Sequence, residues 1–68
     1  KRVRKKRYAI PVNGLVWEID VFLDRELVLA EVELPSADIT PELPSWLAPW
    51  VEREVTDDPA YLNLSLAQ

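Results

Sequence analysis

A mainly β, antiparallel fold of α+β type, closing on a short C-terminal helix, is predicted by three observations. Asn13-Gly14 separates two runs rich in β-branched and aromatic residues, and this pair suits a two-residue hairpin because a type I′ turn needs positive φ twice. A third run, Leu27 to Leu34, alternates apolar and polar residues behind a reversal at Asp24-Arg25-Glu26. Asp58-Pro59 near the end has the chemistry of a helix start.

The first strand ends at Val12 and the second begins at Leu15. Counting outward from the turn puts Ile10 opposite Trp17, Tyr8 opposite Ile19 and Lys6 opposite Val21, a mainly apolar face. The other face places Lys5 opposite Phe22, Arg7 opposite Asp20 and Ala9 opposite Glu18. In the third strand, Val28, Ala30, Val32 and Leu34 share one face, and Leu29, Glu31 and Glu33 the other. A turn centred between Arg25 and Glu26 would set Ala30 against Val21, Glu31 against Asp20 and Glu33 against Glu18. Four carboxylates are then expected beside Lys5 and Arg7.

From Pro35 to Pro49 four prolines interrupt the chain, so an ordered connection is expected there, with Trp46, Leu47 and Trp50 covering the apolar sheet face. Val51 to Thr56 suits a short strand, in which Arg53 stands among Glu52, Glu54 and Asp57. After the Asp58-Pro59 start, Tyr61, Leu62, Leu64 and Leu66 are expected to form one or two packed helical turns.

The chain has 68 residues, 49% apolar and 29% charged, which makes it one small ordered domain or a piece of one. A chain of this size buries only about 60% of its unfolded surface. It has no cysteine or histidine to supply a disulfide or a zinc site. Nothing in it approaches the roughly 18 apolar residues of a membrane span or has the form of a signal peptide, so a cytoplasmic protein without membrane contact is expected.

The net charge of -4 hides an asymmetry. Lys1, Arg2, Arg4, Lys5, Lys6 and Arg7 are six of the eight bases, while residues 8 to 68 set Arg25 and Arg53 against all twelve acids, a formal -10. Such an acidic body repels nucleic acid, although its basic end attracts a phosphate-rich ligand. The bland reading of that end is a solvated tail or nucleic-acid arm.

The charged sheet face has a bland reading as well, the wet side of a half-exposed meander. Two features point away from it. Bases occupy the first strand and acids the next two, and the pairs recur at i, i+2, about 6.6 Å apart along a strand. Like charges placed opposite one another destabilise a sheet. That sorting suits bases holding phosphate oxygens and acids holding Mg²⁺ or Mn²⁺. Absence of His and Cys excludes Ser/His/Asp and Cys/His nucleophile sets, and the single Gly14 excludes a P-loop and a dinucleotide fingerprint.

The succession Lys5-Lys6-Arg7-Tyr8, GLVWEIDVF from Gly14 to Phe22, LVLAEVELP from Leu27 to Pro35, LPSWL, and REVTDDPAYLN resembles the C-terminal half of a bacterial CYTH domain, the triphosphate tunnel metalloenzymes. These include class IV adenylate cyclases, thiamine triphosphatases and inorganic tripolyphosphatases. The resemblance covers nearly the whole chain and implies that residues 1–68 are half of one domain, part of a closed antiparallel β-barrel whose tunnel lining would be the charged face. It implies that Lys5 and Arg7, matching a K-x-R strand, contact phosphates, with Arg53 standing where many members have lysine before EVT. It implies further that Glu31 and Glu33, matching an E-x-E pair, hold Mg²⁺ or Mn²⁺. Glu18 and Asp20 match the preceding acidic strand and are the candidates for orienting the attacking water.

Departures from the pattern are informative. The family's opening E-x-E-x-K strand has no counterpart, nor do the basic strands after it, and the Phe22 to Leu27 turn is short. So few strands cannot close a barrel, and their edges call for partners. The missing N-terminal half, another chain or a homodimer would supply them. The expected function is therefore metal-dependent hydrolysis of a triphosphate by the intact domain, with these 68 residues inactive alone. Cyclisation of ATP to cyclic AMP is one alternative, and a non-catalytic polyphosphate-binding or assembly module is the other.

Overall fold

The computed structural model describes residues 3–36, 38–39 and 41–67. Lys1 and Arg2 of the basic end lie outside the described residues. Five strands, β1 (Lys5–Val12), β2 (Leu15–Phe22), β3 (Val28–Glu33), β4 (Val51–Glu54) and β5 (Tyr61–Leu66), form one antiparallel sheet in the order β1-β2-β3-β5-β4. The sheet is open, with β1 and β4 at its edges. The expected barrel is not closed within this chain.

The first hairpin has the register expected of it. Val12 pairs with Leu15 and Arg7 with Asp20, and the turn takes positive φ at Asn13 (50°) and Gly14 (80°). Pro11 lacks the N–H that a ladder needs on both sides, and it lies in an edge strand where that loss is tolerated.

The second reversal is centred one residue earlier than expected, between Asp24 and Arg25. The Phe22 N–H donates to Leu27 O at 3.0 Å and the Leu27 N–H to Arg25 O at 3.0 Å, closing a tight four-residue loop. Ala30 therefore pairs with Ile19, Glu31 with Glu18 and Leu29 with Asp20, two residues away from the expected register. A slip of two preserves the faces, because side chains alternate with period two. It does remove Glu33 from opposite Glu18 and leaves it paired with Tyr61 of β5.

The expected C-terminal helix is a strand, and no α-helix occurs among the described residues. Asp58 uses its helix-start chemistry to make a turn: its carboxylate accepts the Ala60 N–H at 2.9 Å and its carbonyl accepts the Tyr61 N–H at 3.0 Å. Beyond it Leu62, Leu64 and Leu66 alternate with Tyr61, Asn63 and Ser65, a period of two that β3 accommodates along its whole length.

The apolar face carries the core, with Trp17, Ala30, Val32, Leu64 and Leu66 buried together. The crossing from β3 to β4 covers it, and Leu47, ahead of a 3₁₀ turn at Ala48–Trp50, is buried in the same cluster. Trp46 and Trp50, expected to share this role, are 43% and 55% exposed. The tight turn points one side chain of the Leu47 region inward and leaves the flanking rings outside.

Candidate functional site

The charged face is built on the β1–β2 register. Arg7 lies directly opposite Asp20, and its guanidinium makes a bidentate pair in which Nε donates to Oδ1 at 2.7 Å and Nη2 to Oδ2 at 2.9 Å. Lys5, two residues along the strand, donates from Nζ to Asp20 Oδ2 at 3.0 Å. Its ammonium also stands 5.6 Å from the Phe22 ring centroid. Asp20 is buried, at 8% exposure, and both carboxylate oxygens are occupied by cations. The Arg7 hydrogen bonds, reinforced by Lys5, outweigh burial and hold its pKa at about 2. Asp20 in turn raises the pKa of Arg7, chiefly by accepting its hydrogen bonds.

Glu18 and Glu31 face each other across β2 and β3. Arg7 reaches Glu18 through Nη1, 3.5 Å from Oε2. Its Nε and Nη2 edge is thus fixed on Asp20, and the Nη1 side remains turned to the carboxylates and the open face. Lys5, Arg7, Glu18, Asp20 and Glu31 are therefore brought together, in an order set by neighbouring strand positions.

Glu33 and Arg53 lie apart from that group. Glu33 is exposed at the end of β3, beside the turn that leads from β4 into β5, where its Oε1 accepts the Tyr61 hydroxyl at 3.0 Å. Accepting from that hydroxyl, Glu33 raises the Tyr61 pKa. Arg53 pairs with Ser65, whereas Val51 pairs with Leu66, so an irregularity between them turns Arg53 onto the charged face instead of the face that simple alternation assigns it. It still stands four strand spacings from β1, roughly 19 Å across a flat sheet.

The β5 residues of this face were hidden by the helical reading. Tyr61 and Asn63 join Glu31, Asp57 and Asp58 around an open groove beside the acidic strand. The strict alternation of Tyr61, Asn63 and Ser65 against three leucines was the signal for them.

Glu18 opposite Glu31, with Glu33 at i+2, is a set of hard oxygen donors. Magnesium-like ions take one or two protein carboxylates and complete their shell with water and phosphate oxygens. No group of three acidic side chains able to hold a metal occurs among the described residues, and Asp20 has no oxygen to spare. These residues fit an ion shared with a phosphate ligand and further donors, and they do not form a complete protein cage. None of the described helices is long and apolar enough to cross a membrane.

Fold and face together define an open antiparallel sheet with an ionic surface, cations on its edge strand and carboxylates on the next two. The chain is similar to an inorganic triphosphatase of Acetivibrio thermocellus, 41% identical over 68 residues that cover 97% of this chain and 41% of that protein. It is a homologue of part of that enzyme, the relation expected of a partial CYTH domain. No family model matches the chain. No solved structure matches it either.

Proposed function

We propose that residues 1–68 are the C-terminal half of a CYTH domain that hydrolyses a triphosphate, inorganic tripolyphosphate foremost, in the presence of Mg²⁺ or Mn²⁺. The observation that carries this reading is the Lys5–Asp20–Arg7 cluster lying beside Glu18 and Glu31 on one face, in a chain related to an inorganic triphosphatase. Arg7 and Lys5 neutralise phosphate oxygens, and Arg53 adds a contact once further strands curl the sheet. Glu31 and Glu33 would hold the divalent ion. When bound, that ion would polarise the phosphate oxygens and offset their charge.

Water attacks the terminal phosphorus, the bond from that phosphorus to its bridging oxygen breaks with the electron pair leaving on pyrophosphate, and the water's proton passes to solvent as orthophosphate forms. Glu18 is the better candidate to orient that water, because Asp20, ionised down to about pH 2 and saturated by its cations, is a weak base. Asp20 instead keeps Arg7 and Lys5 in place. The remainder of the domain, from the chain beyond these residues or from another copy, closes the tunnel.

Charge reversal in the complete protein tests the reading. Glu31→Lys should abolish metal-dependent phosphate release from tripolyphosphate while the fold persists, and unchanged activity would remove Glu31 from the site. Product analysis with ATP separates the alternatives. Cyclic AMP without phosphate release from tripolyphosphate would make the protein a cyclase. Tight polyphosphate binding with no turnover would make it a binding module.

A further inference from the structure

β5 sets a polar row, Tyr61, Asn63 and Ser65, against the acidic row of β3, and within it Tyr61 pairs directly with Glu33. The Tyr61 hydroxyl donates to Glu33 Oε1 at 3.0 Å. Glu33 is the last residue of β3 and lacks the cationic neighbours that fix Asp20, so a freely rotating glutamate at that position would lose side-chain entropy on taking up a ligand. The backbone around the pair is well secured. The Leu34 N–H donates to Ala60 O at 2.7 Å and the Asp58 turn fixes the start of β5, so the Tyr61 ring is presented from a braced position.

We infer that Tyr61 is a positioning residue, whose hydroxyl occupies one carboxylate oxygen of Glu33 and so restrains that side chain with its other oxygen left for the metal ion. The inference rests on the reading of Glu33 as a metal ligand. Groups that orient a ligating side chain typically change metal affinity by about 10- to 100-fold when removed. An exposed hydrogen bond belongs at the lower end of that range.

The test is a titration of the complete protein with Mn²⁺, free ion being followed by electron paramagnetic resonance in the absence of substrate, for wild type, Tyr61→Phe, Glu33→Gln and the double variant. Thermal midpoints serve as a fold control, since phenylalanine keeps the ring. Support would be Mn²⁺ binding weakened about 10-fold in Tyr61→Phe at an unchanged midpoint, with the double variant no weaker than Glu33→Gln. If Glu33→Gln weakens binding and Tyr61→Phe does not, the positioning role is overturned while the metal-site reading stands. If neither changes binding, Glu33 leaves the site and the inference falls with it.

Discussion

Asp20 receives the guanidinium of Arg7 through two hydrogen bonds and the ammonium of Lys5 through a third, which makes one buried carboxylate the organiser of the two cations that β1 presents on the charged face. Two positive groups at the i and i+2 positions of an exposed strand would otherwise repel each other and sample many rotamers. The carboxylate cancels that repulsion and selects one geometry.

Asp20→Asn is expected to destabilise the protein by about 1 kcal/mol near neutrality, the depression of the Asp20 pKa by its two cations being discounted for screening around the half-exposed Arg7. Because the folded-state pKa is depressed from 3.8 to about 2, this stabilisation is present above the unfolded value and fades as pH falls through about 2. Urea unfolding at pH 7, 4 and 2 should show the wild type converging on the variant at the acid end. A constant difference across that range would remove Asp20 as the titrating group.

Arg7→Lys keeps the charge and loses the fork that grips Asp20. If the complete protein hydrolyses tripolyphosphate as proposed, its initial rates should show KM raised about 10-fold, since one point charge replaces a group oriented by two hydrogen bonds, about 1.4 kcal/mol. Equal KM values would mean that orientation of Arg7 plays no part in substrate binding.

Leu47→Ala should cost about 2–3 kcal/mol, because this 1% exposed side chain seals the apolar face above Trp17 and Val32. Trp50→Ala should cost much less, its ring being 55% exposed. Denaturant midpoints of the two variants, measured side by side, check the order.

Gly14→Ala should destabilise the first hairpin by roughly 1 kcal/mol. A Cβ there meets no atom within 4 Å, so the whole cost lies in the backbone at φ +80°. Thermal unfolding gives the value, and an unchanged midpoint would show that the hairpin register does not depend on this turn.

Local chemistry made the first hairpin legible from sequence. Asn13-Gly14 admits one tight turn, so every partner from Val12↔Leu15 to Lys5↔Phe22, and with it the Arg7–Asp20 pair, could be counted outward. The face of each strand was legible too, because alternation survives a two-residue slip. Hydrogen bonds at Arg25 and Leu27, which no residue pattern announces, chose the β2–β3 register and parted Glu33 from Glu18. Long-range pairing likewise made a strand of Tyr61–Leu66, since Asp58-Pro59 starts a turn as readily as a helix and the open flank of β3 offered six residues a ladder. The irregularity that rotates Arg53 to the ionic side arises only when β4 meets β5. Short-range sterics are written into neighbouring residues, whereas the choice among strand partners is settled by how much backbone and apolar surface the assembled sheet can satisfy at once.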